Sequence, residues 1–237
     1  MSELILETKD LRGGYRPGVN ILNGVSISLH SGEILGVIGL NGSGKSTLGR
    51  ALVNLLPYRE GTILFKGEDV TGLTTDRLAS SGLKMMMQGG RVFMNLSLWH
   101  NLELSAGKNV VKGFVEEYAD QIPLLRRPTK ELKSLWADKL SGGQRHQLAL
   151  AMTIATKPAC VILDEPSAGL SPTSVNNMYA VLKDIHESSG ITIVLIEQNI
   201  AKAIEFSDRS VLINQGRIVK EFTTGDVAEV EAEMFKI

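Results

Sequence analysis

Hydrophobic residues in the first third of the chain alternate with polar ones or gather in short apolar runs. These two patterns predict β-strands at residues 4–8, 25–30, 33–38, 61–65 and 83–87. After Lys45 the hydrophobic residues recur at every third or fourth position, which predicts an amphipathic helix that Pro57 ends. A strand therefore leads directly into a helix near residue 45.

The region from about residue 95 to 156 shows no strand pattern. Leu, Val and Ile recur there at three- and four-residue intervals, so we expect a helical insert. Strands are then predicted at residues 160–163, 191–196, 210–213 and 217–222, with helices at 173–187 and 200–205. Strands that alternate with helices predict a parallel sheet covered on both faces. A turn at 214–216 indicates a final hairpin, and a short acidic helix is expected after it.

The composition limits the class of protein. A chain of 237 residues forms one large domain, or one domain with an insert. Its 25 basic and 26 acidic side chains nearly balance, which excludes the global positive field that attracts nucleic acid. The single cysteine, Cys160, lies in an apolar run and is expected to be buried in a protein of the reducing cytosol.

No export signal or membrane-spanning run is visible in the sequence. The first residues carry acidic side chains where a signal peptide needs a basic segment. The longest apolar stretches fall far short of the ~18 residues that span a bilayer. We therefore expect any membrane association to depend on a partner protein.

Residues 39–46 match the phosphate-binding loop pattern, between a predicted strand and a predicted helix. Glycines let backbone N–H groups turn toward a phosphate, and the helix N terminus adds a favourable dipole. Lys45 is expected to reach the β and γ phosphates, and the Ser46 hydroxyl is placed for Mg²⁺. A tight glycine turn without a ligand is the alternative. The nucleotide-binding residues predicted in this segment are Gly39, Asn41, Gly42, Ser43, Gly44, Lys45, Ser46 and Thr47.

Two adjacent carboxylates end the apolar strand that begins at Cys160. This strand is expected to carry Asp164 and Glu165 to the sheet edge beside the phosphate loop. Asp164 is a candidate for the magnesium shell, and Glu165 is a candidate general base for a water in line with the γ-phosphate. A solvated strand end would also explain two neighbouring acids.

A third motif, at residues 140–144 (Leu-Ser-Gly-Gly-Gln), follows the loop and precedes the acids. Taken in this order, the three motifs resemble the ATP-binding cassette (ABC) family, over nearly all of the chain. The resemblance implies an α/β fold: a P-loop NTPase core with a mainly parallel sheet, an N-terminal antiparallel β subdomain and an inserted α-helical subdomain. It implies one ABC ATPase domain over 1–237, with core and β subdomain at 1–88 and 157–237 and helical subdomain at about 89–156.

In that family the third motif is called the signature, and it caps the γ-phosphate of ATP held by the opposite subunit. This implies a head-to-tail dimer over two ATP molecules. A serine and glycine N–H groups at a positive helix end can form such an anion site. A capping turn without a ligand would explain the serine equally well. The residues that the resemblance assigns to this surface are Ser141, Gly142, Gly143 and Gln144.

Other roles are implied position by position. Tyr15 matches the aromatic residue that stacks on adenine, although it could be merely an exposed turn residue. Gln88 matches the glutamine that contacts metal and attacking water, so Ser46, Gln88 and Asp164 are the implied metal residues. Residues 167–170 resemble the loop that touches the opposite subunit.

One position departs from the family pattern. Gln198 stands where the family usually has a histidine that reaches the γ-phosphate. Glutamine can donate a hydrogen bond but cannot carry a proton near neutral pH. The candidate catalytic residues are therefore Glu165, Gln198 and Gln88. The four histidines have no metal-binding spacing.

The resemblance implies an ATPase subunit with ATP and Mg²⁺ as cofactors, peripheral to the cytoplasmic face of the cell membrane. Its partners would be a second copy or a sibling ATPase subunit, together with integral membrane permease subunits, and no nucleic acid. Residues 197–199 and 90–93 are similar to those of branched-chain amino acid and urea importers. A lipid or lipopolysaccharide export ATPase, a nucleic-acid-processing ABC ATPase and a small-molecule phosphotransferase are the alternatives. Sustained heptads for the coiled coil of a DNA-processing relative are absent from the sequence.

Overall fold

The computed structural model describes residues 3–223, 227, 230, 232 and 233. Within these residues the chain forms two compact units, and their segments interleave along the sequence. The first unit comprises Met1–Met85, Ala159–Glu165 and Gly190–Ile237, and the second comprises Met86–Pro158 and Pro166–Ser189. The expected division into 1–88, about 89–156 and 157–237 stays a prediction. The expected acidic tail helix falls largely on residues outside the described ones.

Eleven strands lie in the described part of the chain. They are β1 (Leu4–Gly14), β2 (Leu22–Val25), β3 (Ser28–His30), β4 (Ile34–Ile38), β5 (Tyr58–Phe65), β6 (Glu68–Asp69), β7 (Leu83–Met86), β8 (Cys160–Asp164), β9 (Thr192–Ile196), β10 (Arg209–Asn214) and β11 (Arg217–Thr223). The longer helices are α1 (Lys45–Leu52), α2 (Thr75–Ser81), α3 (Leu98–Ala106), α4 (Lys108–Tyr118), α5 (Thr129–Ser134), α6 (Gly142–Ile154), α7 (Pro172–Ser189) and α8 (Ile200–Phe206). Short 3₁₀ turns occupy Pro123–Arg126 and Ala137–Lys139.

A six-stranded sheet forms the centre of the first unit, in the order β11-β10-β4-β9-β8-β7. Strands β10, β4, β9 and β8 are parallel, and β11 returns antiparallel to β10. All five residues of β4 are buried, as are those of β8 and β9. These strands read as unbroken apolar runs because helices cover both of their faces. The predicted parallel sheet is confirmed.

Two apolar clusters cover the opposite faces of this sheet. One contains Val37 with Leu48 and Leu52 of α1. The other contains Ile38 with Ala203 and Ile204 of α8. Because successive residues of a strand point to opposite faces, Val37 and Ile38 mark the two sides. Helix α1 therefore starts at the end of a strand that is fixed on both faces.

A five-stranded antiparallel sheet is built around β1, which pairs with β2, β3 and β5, while β5 pairs with β6. This is the expected antiparallel β subdomain. Strand β1 is longer than the predicted 4–8, because its register shifts between Lys9 and Arg12 and Asp10 has a positive φ of 48°. The bulge changes which side chains face the core, so the alternation is interrupted although the strand continues.

Helix α1 ends at Leu52, before the predicted stop at Pro57. Asn54 has a left-handed φ of 58°, and its side-chain amide donates to Val70 O and Leu73 O at 2.8 and 2.9 Å. Asparagine tolerates this conformation better than most residues. The asparagine thus ends the helix and ties it to the loop after β6.

The second unit is helical, as expected for the insert, and it also includes α7. Helix α3 packs against α4, α5 and α6. The segment before α3 pairs with the segment after α5, since Ala137 N–H donates to Leu96 O and Leu98 N–H donates to Leu135 O. Among the described residues, no helix combines the length and the apolar character that crossing a bilayer requires.

Candidate nucleotide-binding and catalytic site

The phosphate loop connects β4 to α1, and Lys45 is the first residue of that helix. Its side chain is 5% exposed, and its ammonium donates to Gly39 O at 2.7 Å and Leu40 O at 3.0 Å. A Cβ on Gly39 would lie 2.3 Å from Ile213 O. Only glycine fits this approach of the loop to β10. The Lys45 ammonium is thus bonded to carbonyl groups of its own loop, and phosphate oxygens could replace these acceptors.

The tip of the β10–β11 hairpin supports this loop. Gly216 N–H donates to Ser43 O at 2.8 Å, and Gly216 O accepts from Asn23 N–H at 2.8 Å. A Cβ on Gly216 would lie 1.8 Å from Ile21 O, so the tip is wedged between the loop and the start of β2. The sequence predicted this turn but not that it contacts the phosphate loop.

Ser43 carries the feature of the loop that most directly indicates a ligand. Its side chain is buried, and among the described residues its hydroxyl has no hydrogen-bond partner. Buried polar groups are almost always hydrogen-bonded, so an unmet hydroxyl in a phosphate-binding loop fits a site for a phosphate oxygen. The loop residues therefore fit a nucleoside triphosphate.

Ser46 and Asp164 meet at the end of β8. The Ser46 hydroxyl donates to Asp164 Oδ1 at 2.9 Å, and Asp164 is only 1% exposed. Burial raises the pKa of Asp164, while the Ser46 hydrogen bond opposes that rise and the charge of Glu165 adds to it. A hydroxyl and a carboxylate are the oxygen ligands that Mg²⁺ prefers. Within the described residues no group of three or more His, Cys, Asp or Glu side chains could hold a metal. Mg²⁺ at this point would therefore depend on substrate phosphates for further ligands.

Glu165 follows β8 with a left-handed backbone, at a φ of 49°. Such a conformation is uncommon for a residue with a side chain, and it marks a position that the surrounding structure imposes. The carboxylate is 6% exposed and accepts a short hydrogen bond from Gln198 Nε2. The exposed Gln198 lies just beyond β9, so neighbouring strands bring the two side chains together.

Lys45 is the cation at the centre of this arrangement. Burial lowers its pKa, and the charges of Glu165, Asp164 and Glu197 oppose that effect. The charges of three carboxylates thus act on one ammonium. A bound triphosphate would add further negative charge, which would favour binding of a divalent cation.

Tyr15, the residue predicted to stack on adenine, forms a pair with Arg50. Tyr15 is 41% exposed, Arg50 Nη1 donates to its hydroxyl at 2.6 Å, and the guanidinium lies 5.8 Å from the ring centroid. Sequence reasoning missed Arg50. The available signal was its spacing, because Arg50 lies four residues after Ser46 and so shares its face of α1.

Gln88 follows β7 in the helical unit, and its side chain is exposed. The next two residues, Gly89 and Gly90, have φ angles of 85° and 57°. A Cβ on Gly90 would lie 3.0 Å from the ring of the buried His146, whereas one on Gly89 would meet nothing within 4 Å. The loop after Gln88 therefore rests on α6 through one glycine.

Ser141 is exposed and caps α6, which begins at Gly142. Its hydroxyl accepts from Gln144 N–H at 3.3 Å, and its own N–H donates to Gln144 Oε1 at 3.0 Å. The capping alternative is thus realised. It does not exclude a ligand, because a hydroxyl that accepts one hydrogen bond can still donate its proton.

The loop at 167–170 lies beside the same turn. A Cβ on Gly142 would lie 3.8 Å from Leu170 Cδ2, and one on Gly143 would lie 3.2 Å from Ser174 Oγ. The helical unit therefore brings the signature turn and the predicted subunit-contact loop together. The roles predicted for Gln88, Ser141, Gly142, Gly143 and Gln144 stay predictions.

Comparisons with known proteins were made on the sequence and on the structure. The sequence model of the family described as ABC transporter matches residues 22–168. A probable branched-chain amino acid transport ATP-binding protein of Archaeoglobus fulgidus is 33% identical over 230 residues, which cover 96% of this chain and 95% of the relative. A high-affinity branched-chain amino acid transport ATP-binding protein of Pseudomonas aeruginosa is 32% identical over 209 residues, covering 88% and 89%.

A lipopolysaccharide export ATP-binding protein of Escherichia coli K12 is 27% identical over 234 residues, covering 95% of this chain and 93% of the relative. Among solved structures, a part of an ABC transporter complex from Clostridium perfringens superposes with a TM-score of 0.81 at 25% identity. That match covers 98% of this chain and 92% of the other.

Proposed function

The chain belongs to the ABC transporter family as an ATP hydrolase, and from this premise we propose that it powers the transport of a small solute through partner membrane proteins. The observation that carries the proposal is the convergence of Lys45, Asp164 and Glu165 around the phosphate loop. Each comes from the end of a buried strand or the start of the helix that follows. Their positions are therefore set by the rigid sheet.

ATP would bind with its phosphates in the loop. Lys45 would exchange its bonds to Gly39 O and Leu40 O for phosphate oxygens, and the Ser43 hydroxyl would gain a partner. Glu165 would accept a proton from the attacking water, and Gln198 would orient the Glu165 carboxylate. Because glutamine takes no proton, Glu165 alone would act as the base.

Ser46 and Asp164 would hold Mg²⁺, with Gln88 as the further metal residue that the family pattern implies. When bound, the ion would neutralise charge on the phosphates. Ser46 and Asp164 already lie at hydrogen-bond distance, so their oxygens are ordered before the ion arrives.

Two copies would close over two ATP molecules, with the partner subunit's Ser141 facing the γ-phosphate. This is supported by the exposure of Ser141 and by the proton its capping hydroxyl can still donate. Light scattering tests the dimer: Glu165→Gln should dimerise with ATP and Mg²⁺ but not with ADP. Adding Ser141→Asp should keep the helix cap, because aspartate is a good N-cap, but repel the phosphate and prevent dimerisation. Dimers that survive Ser141→Asp would contradict the proposed sandwich.

The membrane partners would be permease subunits on the cytoplasmic face of the cell membrane. Support comes from three exposed apolar side chains of the helical unit, Phe93, Met94 and Trp136. They are neighbours, because Asp138 N–H donates to Met94 O and Ser97 forms a bridge with Trp136. An exposed apolar cluster is typical of a protein contact surface. We expect Trp136→Glu to abolish co-purification with the membrane subunits and to leave the ATP turnover of the isolated chain unchanged.

Branched-chain amino acids are the proposed cargo, because two relatives at 32–33% identity carry that description. A lipopolysaccharide export relative at 27% identity keeps export as the second candidate. Identification of the co-purified membrane subunits, followed by leucine uptake into vesicles containing them, would decide. Uptake that needs ATP inside would support import, and extraction of lipid from the bilayer would support export.

A further inference from the structure

Glu197 is a buried carboxylate to which the proposed reaction gives no role. It directly follows β9 and is 2% exposed. Its backbone N–H donates to Val37 O at 3.2 Å, which continues the pairing of β9 with β4 by one residue. A buried carboxylate is unfavourable unless hydrogen bonds and positive charge compensate it. Glu197 is therefore held in place by the centre of the sheet.

The Glu197 side chain folds back onto the chain that follows it. Its Oε2 accepts from Gln198 N–H at 3.0 Å and from Asn199 N–H at 3.3 Å. Asn199 in turn caps α8, since its side-chain oxygen accepts from Lys202 N–H at 3.1 Å. The turn that carries Gln198 is thus fixed by a buried carboxylate on one side and by a helix cap on the other.

Gln198 needs such support because its own side chain is exposed. An exposed glutamine samples several rotamers, and its backbone position decides which of them can meet a given partner. Here its amide reaches the carboxylate of Glu165, which is the base in the proposed function. Hydrogen bonds to a charged acceptor are roughly twice as strong as neutral ones, so a carboxylate fixes the turn better than a neutral side chain would.

We propose that Glu197 is a positioning residue, whose buried carboxylate holds the backbone of Gln198 so that the Gln198 amide aligns Glu165. This inference rests on the proposed function, which assigns the base to Glu165. In this role Glu197 touches neither substrate nor attacking water and acts through Gln198, and separately its charge acts on the Lys45 ammonium.

A double-mutant cycle on the full chain tests the proposal, with kcat and KM for ATP as readouts. Glu197→Ala should lower kcat about tenfold, the factor expected for losing hydrogen bonds to a charged group, and leave KM nearly unchanged. Gln198→Ala should lower kcat by a similar factor. The double variant should be no slower than Gln198→Ala alone, because Glu197 acts through Gln198. Losses that multiply in the double variant, or a loss confined to KM, would overturn the inference.

Two further variants keep the test decisive. Glu197→Gln retains an acceptor oxygen without the charge, so it should have intermediate kcat, and it replaces Glu197→Ala in the cycle if that variant does not fold. Glu205→Ala removes an exposed acid from α8 and should leave kcat unchanged. Glu165→Gln is measured in parallel. Full activity of Glu165→Gln would refute the proposed base, whereas an inactive Glu165→Gln with a multiplicative cycle would refute only the role of Glu197.

Discussion

The side-chain amide of Gln198 donates a hydrogen bond to the carboxylate of Glu165 across two neighbouring parallel strands. The donor is neutral, and Glu165 itself stands in a left-handed conformation that few residues with side chains adopt. The candidate base is therefore held from two directions, by its own backbone and by an amide that does not titrate. This arrangement replaces the histidine that the family pattern would place at position 198.

The pH dependence of turnover should report this replacement. Wild-type kcat should show no inflection from residue 198, because glutamine does not titrate, whereas Gln198→His should introduce one near pH ~6.5. The profiles of both proteins, measured between about pH 5 and 8, where histidine changes charge, check this. Gln198→Asn, which shortens the amide, serves as a control and should be slow without a new inflection. Identical profiles for wild type and Gln198→His would contradict the proposed contact in the active enzyme.

The Mg²⁺ requirement should depend on the hydroxyl of Ser46. Ser46→Ala removes the group that bonds Asp164 at 2.9 Å, so we expect the Mg²⁺ concentration for half-maximal turnover to rise about tenfold, as for the loss of one hydrogen bond to a charged group. Ser46→Thr keeps the hydroxyl and should behave like wild type. Titrating Mg²⁺ at saturating ATP measures the effect. An unchanged midpoint for Ser46→Ala would mean that this hydroxyl does not hold the ion.

Two adjacent glycines offer a matched test of the contact between the loop after Gln88 and α6. Gly89→Ala and Gly90→Ala both impose a left-handed alanine, at a cost of about 1–2 kcal/mol. Only Gly90→Ala also presses on the His146 ring, which adds roughly 1–3 kcal/mol of overpacking. Urea unfolding should therefore show Gly90→Ala as the less stable variant. His146→Ala should reduce the difference without removing it, because a Cβ on Gly90 also lies 3.1 Å from His146 Cα. Equal destabilisation by both glycine variants would argue against the contact.

Tyr15 should set the affinity for ATP through its ring more than through its hydroxyl. Tyr15→Ala should raise KM about tenfold, because stacking of a base on an aromatic ring contributes about 1–3 kcal/mol. Tyr15→Phe keeps the ring and loses only the bond from Arg50, so a rise of about threefold or less is expected. Arg50→Met removes this bond and also the guanidinium beside the ring, so it should raise KM at least as much as Tyr15→Phe does, and adding Tyr15→Phe to Arg50→Met should raise KM no further. If Tyr15→Ala has the same KM as wild type, adenine does not stack on Tyr15.

The single cysteine should be unreactive toward thiol reagents in the folded protein. Burial raises the pKa of Cys160 to about 12, so the reactive thiolate is scarce at pH 8. Labelling with a disulfide reagent should give no reaction in the native state and one equivalent after unfolding. Ser31→Cys, at an exposed position, should label in the native state and shows that the reagent is active. Rapid labelling of native wild type would contradict the burial.

Sequence patterns predicted the elements whose signals are local. Strands β4 and β8 are unbroken apolar runs because both of their faces are buried, and the loop and acids that follow them were located from these runs. Helix α2 was missed because it is seven residues long with only Leu78 buried, too short to show a period. The sequence also predicted one strand at 25–30, whereas β2 and β3 are separate partners of β1.

Long-range contacts in the site left no local signal. The bond from Gly216 to Ser43, the pair of Tyr15 and Arg50, and the left-handed Glu165 all depend on how distant segments meet. Glu197 shows the same limit. As a lone acid after a strand it resembles a solvated strand end, and only the fold reveals that its carboxylate accepts two backbone N–H groups.

The contact of Gly216 with the phosphate loop can form only late in synthesis of the chain. The phosphate loop is translated early, but the hairpin tip that holds Ser43 is made only near the other end of the described chain. A polypeptide still growing on the ribosome therefore lacks the buttress of its nucleotide cradle until residue 216 has emerged. Unfinished chains should therefore bind ATP poorly.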